Sequence, residues 1–339
     1  MSRRDSMFIK GNEIKTVAIV GTGVIGAGWA ARLLHRGMNV IAVNPRKTAE
    51  DDLREVIANA EEALQRVIAV PVEKKGKLTF TTDLKEAVEC ADYIQENTPE
   101  VESKKIILLK EISSYAKPNA IIGSSTSGLL PTRLQSEMVN PERFLVAHPF
   151  NPVYLLPLVE VVGGEKTSAE AIETAIEFFK MMGMKPLKVR VEIEGFIADR
   201  LLEALWRENL HMVNDNVATT DELDQAIIYG AGLRWAFMGT NLTYWLAGGK
   251  RGMRHFMSQF GPALKLPWTK LEAPELTEEL IEKMVEGTNE QAQGHNLREL
   301  EKLRDNCIVS IMEALAEYEC ASGKILKQDR EQQMARLAE

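Results

Sequence analysis

The chain of 339 residues has only three cysteines, Cys90, Cys307 and Cys320, and they lie far apart. An odd, scattered set argues against a disulfide framework or a zinc site and fits a reducing cytosol, so all three read as structural or surface residues. No apolar run approaches the roughly 20 residues needed to cross a bilayer. The first residues, Met1 to Lys10, carry charge but no apolar stretch, so they do not read as a secretory signal. An excess of positive charge is also missing. The net charge is −8, which makes the chain a poor candidate for nucleic acid or for an anionic membrane. There are five histidines, which leaves few candidates for proton transfer near neutral pH. With 45% hydrophobic and 27% charged residues the composition is that of a globular protein, and the length predicts two domains.

What is present in the first half is alternation. Short β-rich runs occur at 16–20, 39–43, 77–80, 92–95, 120–122, 144–147 and 158–162. Helical patterns separate several of them, at 24–35, 48–68, 103–115 and 168–182. This rhythm predicts βαβ units, and hence an α/β, doubly wound, mainly parallel sheet covered on both faces. After Gly195 the β-rich runs stop. Helical periodicity takes over at 196–217, from Thr220 as a candidate N-cap, near 277–286 and at 296–316. The expected organisation is therefore a sheet domain over 1–194, an all-helical domain over 195–321 and a charged tail over 322–339, read as a frayed helix or a disordered segment.

The first strand runs into Gly21-Thr-Gly23-Val-Ile-Gly26, a G-x-G-x-x-G pattern between a strand and a helix. In that context Gly21 permits the tight turn, Gly23 lets backbone approach a pyrophosphate, and Gly26 allows close helix–strand packing. The helix N-terminus offers free N–H groups to phosphates. A dinucleotide is therefore expected. The ribose-reading position, about 20 residues on, falls at Asn44, followed by Pro45 and Arg46. An acidic residue there would repel a 2′-phosphate; asparagine does not, and Arg46 could pair with one. NAD is favoured, with NADP left open.

His148 follows the run 144–147 and precedes Pro149-Phe-Asn-Pro152. Residues just past the carboxyl ends of parallel strands line the ligand crevice of such sheets. Twelve residues later Glu160 sits inside an apolar run, where a carboxylate is costly unless paired. Pairing with the imidazole would fix its tautomer and stabilise its protonated form. The turn Gly123-Ser-Ser-Thr-Ser-Gly128 offers hydroxyls to a substrate alcohol or a nicotinamide, though such a composition also suits a simple turn.

These strings, together with Gly195-Phe-Ile-Ala-Asp-Arg-Leu-Leu202, occur in an order and spacing that resembles the 3-hydroxyacyl-CoA dehydrogenase superfamily over nearly the whole chain. The resemblance implies a Rossmann-type fold with a helical C-terminal domain. It also implies His148 as general base with Glu160 as its partner and Ser127 on the reacting oxygen. Asn151 would then lie near the nicotinamide, Glu100 and Lys105 at cofactor-contacting positions, and the helical domain in a homodimer interface. Ile122 to Leu130, Ala147 to Leu158, Asp199 to Glu208 and Gly252 to Met257 resemble the branch of that family acting on L-carnitine.

Two positions depart from the broad family pattern: Asn44, where an acidic residue is usual, and Asp199, where acyl-CoA enzymes carry asparagine. A carboxylate at 199 suits a substrate that bears a trimethylammonium group. On a helix Asp199, Glu203 and Trp206 share one face, and Trp235, Tyr244 and Trp245 follow. Asp199 and some of these aromatics are expected to hold the cation, since aromatic faces attract quaternary ammonium. The expected function is NAD-dependent oxidation of a small zwitterionic 3-hydroxy acid, L-carnitine, in the cytoplasm. Alternatives are 3-hydroxybutyryl-CoA or another 3-hydroxy acid and, more distantly, a non-enzymatic binding or structural protein on the same fold.

Overall fold

The computed structural model describes residues 7–68, 75–270, 275, 277–280, 282 and 294–338. They form two compact units. The first contains the chain up to Asp199, Ile308–Ser310 and the chain from Ile325; the second contains Arg200–Cys307 and Ile311–Lys324.

The first unit is built on eight strands: β1 (Thr16–Val20), β2 (Asn39–Val43), β3 (Leu78–Thr81), β4 (Tyr93–Glu96), β5 (Ile121–Ser124), β6 (Phe144–Pro149), β7 (Leu158–Val162) and β8 (Lys185–Val189). They form one sheet in the order β3-β2-β1-β4-β5-β6-β7-β8. All neighbours are parallel except β6 and β7. Its helices are α1 (Val24–His35), α2 (Ala49–Val67), α3 (Leu84–Glu89), α4 (Glu102–Tyr115), α5 (Pro131–Leu134) and α6 (Ala169–Met181). The β-branched and apolar run of β1 explains the arrangement. Val17 and Ile19 belong to one apolar cluster, Ala18 and Val20 to another, so both faces of the strand are covered.

β8 carries no clear β signal in the sequence. Lys185-Pro-Leu-Lys-Val has a proline and two lysines, which an edge strand tolerates and a central one does not. The helix expected from residue 196 begins instead at Ala198, as α7 (Ala198–Asn214), because Gly195 and Phe196 both have positive φ, 72° and 48°. Phe196 is wholly buried, which holds a ring-bearing residue in the left-handed region despite a cost of roughly 1–2 kcal/mol.

In the second unit Leu210, Val213 and Leu280 form a small apolar cluster with Leu223 against it. The next helix after α7, Thr220–Ala226, is capped by Thr219 rather than Thr220. Glu222 at its third position completes a capping box with Thr219, and Thr220 cannot make that exchange. Of the helix expected near 277–286, residues 278–280 and 282 are helical, and the remainder beyond 282 lies outside the described residues. The segment expected as a charged tail is a helix, Ala321–Ala338. From Ile325 it belongs to the first unit, where Arg36 at the end of α1 pairs with buried Asp329, and the Arg330 guanidinium donates to the Arg66 carbonyl at 2.8 Å. Its buried stripe, Leu326, Asp329 and Gln333, is mostly polar, so apolar periodicity does not reveal it. Among the described residues no helix is long and apolar enough to cross a membrane.

Candidate active site

The turn from β1 into α1 has the geometry its glycines predict. Gly21 has φ 91°, and a Cβ there would lie 2.8 Å from the Asn97 carbonyl oxygen. A Cβ on Gly26 would lie 1.9 Å from the Gly21 oxygen, so no other residue fits. At Gly23 a Cβ would meet no protein atom within 4 Å. That position is open, as approach of a phosphate requires, and the first amides of α1 are oriented for it. Asn44 follows β2 beside this loop: its amide donates to the Thr22 hydroxyl at 3.0 Å, and its side-chain oxygen accepts from the Arg46 N–H at 3.0 Å.

At the ends of β4 and β5 lies a buried polar cluster centred on a residue that sequence reasoning passed over. Glu96 is fully buried and accepts from Lys105 Nζ at 2.8 and 3.0 Å, from the Ser124 hydroxyl, and from the N–H and hydroxyl of Thr98. Lys105 is 1% exposed and also donates to the Thr98 carbonyl, with Glu100 at 3.6 Å. Lys105, expected at a cofactor-contacting position, has its ammonium turned inward against Glu96, whose charge it balances. A single carboxylate inside a four-residue β run was the available signal for Glu96.

Glu100, half-exposed, orders the Ser/Thr turn by accepting from the Thr126 hydroxyl and from the Ser127 N–H. In that turn Ser124 donates to Glu96, Ser125 to Asn97 and Thr126 to Glu100. The exposed Ser127 is the one of the four whose hydroxyl has no protein partner among the described residues. Asn151 is likewise exposed, three residues after His148.

His148 is the penultimate residue of β6, and its register partner across the antiparallel pair is Glu160 of β7. The imidazole Nδ1 lies 3.0 Å from Glu160 Oε2. The other carboxylate oxygen, Oε1, accepts from the Ile197 and Ala198 N–H groups, both at 3.0 Å. Burial works to raise the Glu160 carboxyl, but the bonds from His148 and from the two amides outweigh it and hold the group below the ordinary glutamate range. An ionised Glu160 is an acceptor only, so Nδ1 carries the proton and Nε2 is left as the basic nitrogen. The positive-φ turn at Gly195–Phe196 aims those two amides at Glu160, and the Phe196 and Phe150 rings flank the imidazole at centroid distances of 5.7 and 4.9 Å. His148 is 4% exposed.

Asp199, in the first turn of α7, places Oδ2 3.6 Å from His148 Nε2, and its side chain is a quarter exposed. Glu203, expected on the same helical face, is engaged by Arg207 at 3.8 Å. Trp206, Trp235, Tyr244 and Trp245 all belong to the second unit and are about half-exposed. Tyr244 stacks on Phe256 at 4.5 Å.

With this geometry in place, comparison with known proteins is specific. Residues 16–193 match the NAD-binding domain of 3-hydroxyacyl-CoA dehydrogenase, and residues 195–295 match its C-terminal domain. Proteins named L-carnitine dehydrogenase from Pseudomonas aeruginosa and Pseudomonas putida are 57% and 56% identical over 311 residues, spanning 92% of this chain and 97% of each relative. A solved structure of 5-formyl-3-hydroxy-2-methylpyridine 4-carboxylic acid 5-dehydrogenase, described as an NAD+-dependent dismutase, aligns with a TM-score of 0.76. It is 28% identical and covers 89% of this chain and 98% of its own. The glycine turn and the domain matched over it make NAD the cofactor. By its two matched domains and by relatives along nearly its whole length, this NAD-dependent 3-hydroxy acid dehydrogenase belongs to the 3-hydroxyacyl-CoA dehydrogenase family.

Proposed function

We propose that the protein oxidises L-carnitine at C3 to 3-dehydrocarnitine, with His148 as the general base. The observation that carries the reading is the buried His148–Glu160 pair with Nε2 directed at Asp199. The names of the relatives favour the same substrate.

Gly21, Gly23 and Gly26 would hold the pyrophosphate of NAD, Asn44 a ribose hydroxyl, and Glu100 and Asn151 the nicotinamide end. Lys105 acts behind them, through Glu96 and Glu100. When bound, NAD supplies the acceptor for the two electrons and hydrogen leaving C3. The chain's own residues manage the proton. Nε2 of His148 takes it from the hydroxyl as the C3–O bond becomes a carbonyl. Glu160 offsets the charge that the ring then carries, and its two amide bonds keep it from turning away. The Ser127 hydroxyl, which lacks a protein partner among the described residues, donates to the substrate oxygen as negative charge builds there. Reduction of the ketone uses the same groups in reverse.

Asp199 would attract the trimethylammonium group, and Trp206, Trp235, Tyr244 and Trp245 remain its proposed aromatic partners on the chemistry of their rings alone. A homodimer through the helical domain and a cytoplasmic location complete the reading; they rest on the family resemblance and on cysteine usage.

The test is a substrate panel followed at the NADH absorbance. L-carnitine is expected to give the highest kcat/KM. Faster turnover of 3-hydroxybutyryl-CoA, with no turnover of L-carnitine, would overturn the proposal.

A further inference from the structure

A carboxylate beside the basic nitrogen is a strange neighbour for an alcohol about to lose its proton. A hydroxyl bonded to His148 Nε2 at about 2.8 Å lies no farther than about 6.5 Å from Asp199 Oδ2, given the 3.6 Å between Nε2 and that oxygen. As the proton leaves, the substrate oxygen gains negative charge near a fixed anion. The charged groups whose contacts to the ring are established are Glu160, from β7, and Asp199, from α7; the other neighbours are the Phe150 and Phe196 rings. Glu160 is occupied by Nδ1 and two amides. Asp199 faces the reacting side of the imidazole, and its side chain is a quarter exposed, so a ligand can reach it.

We propose that Asp199 is a specificity-determining residue acting on the chemical step: its carboxylate opposes the developing oxyanion of any 3-hydroxy acid that lacks a cation, and a cation on the carbon next to the carbinol cancels that opposition. In such a substrate the positive charge is one methylene from the carbinol carbon, close enough to neutralise Asp199 and to attract the oxyanion at once. The cation then contributes to kcat as well as to KM, because its interaction strengthens as negative charge develops. Discrimination works by repelling the wrong substrate as much as by attracting the right one. The inference rests on the proposed roles of His148 and of a zwitterionic substrate.

The test compares L-carnitine with its carbon isostere, racemic 3-hydroxy-5,5-dimethylhexanoate, which keeps the carboxylate but has no cation, on the wild-type holoenzyme and on Asp199→Asn. The wild type is expected to turn over the isostere with a kcat at least about tenfold below that for carnitine. Asp199→Asn should lower kcat for carnitine and raise kcat for the isostere, which loss of a merely structural contact would not do. A variant that slows both substrates alike, or leaves the isostere unimproved, overturns the inference. A second arm uses the unmodified protein and needs no folded variant. Tetramethylammonium added with 3-hydroxybutyrate should raise turnover saturably, against sodium chloride at equal ionic strength; absence of activation overturns the inference. If L-carnitine itself is not a substrate, the underlying functional reading has failed; if carnitine is turned over but both arms are flat, only the role of Asp199 has.

Discussion

His148 and Glu160 stand directly opposite each other across β6 and β7, the one antiparallel pair in an otherwise parallel sheet. Opposed residues on antiparallel strands bring their side chains together on one face. The reversal of the chain after β6 is therefore what sets the imidazole 3.0 Å from a buried carboxylate. The amides of Ile197 and Ala198 then fix the far side of that carboxylate. Three segments thus converge on one buried carboxylate.

Replacing Glu160 with glutamine should lower kcat/KM by about 10²-fold, because the ring loses the anion that offsets its charge. The same variant has a pH signature. Glu160 is held below its ordinary value in the folded protein, so its ionised form contributes stability above the ordinary glutamate range, and that contribution is lost as pH falls through the depressed value. Thermal unfolding from neutral to acid pH should show a Tm that declines less steeply in Glu160→Gln than in the wild type. Identical slopes would contradict the assigned environment.

Gly23 and Gly26 make a discriminating pair. A methyl at Gly23 meets no protein atom, so Gly23→Ala should fold with an unchanged Tm and yet bind NADH at least about tenfold more weakly, by intrusion on the phosphate. A methyl at Gly26 collides with the Gly21 carbonyl, so Gly26→Ala should lose stability itself. Fluorescence titration with NADH and thermal unfolding separate the two outcomes.

Lys105→Met leaves Glu96 buried without its countercharge. The expected destabilisation is about 3–5 kcal/mol, measured by urea unfolding, since breaking one half of a buried pair strands the other. A loss of NADH affinity with full stability would instead place the ammonium on the cofactor.

Asn44 accepts the Arg46 N–H and carries no charge to repel a 2′-phosphate. The wild type should favour NAD over NADP in kcat/KM, and Asn44→Asp should widen the ratio by about tenfold through that repulsion. A narrowed ratio would remove Asn44 from the ribose site.

Much of this was legible in the sequence, and the boundary of legibility is physical. β1, β2 and β7 and the helix α1 have apolar or β-branched runs bounded by turn residues, and local pattern alone defines them. β8 and the helix Ala321–Ala338 do not, because an edge strand and a helix docked by Asp329 and Arg330 bury little apolar surface. In the site, the His148–Glu160 pair could be read because a lone carboxylate in an apolar run demands a partner. The Glu96–Lys105 pair could not, because Lys105 lies in a helix whose sequence looks solvated and only the fold turns it inward. The closeness of Asp199 to Nε2 is also tertiary. It depends on Gly195 and Phe196 adopting positive φ just before α7, which no periodicity announces.

The most direct test is turnover of L-carnitine by His148→Ala, measured beside NADH binding by fluorescence. The imidazole is the proposed proton acceptor, and its neighbours are Glu160, Asp199, Phe150 and Phe196, so kcat should fall by about 10²–10⁴-fold with no measurable change in NADH affinity. Retained turnover in a folded variant that binds NADH normally would contradict the assignment of the base.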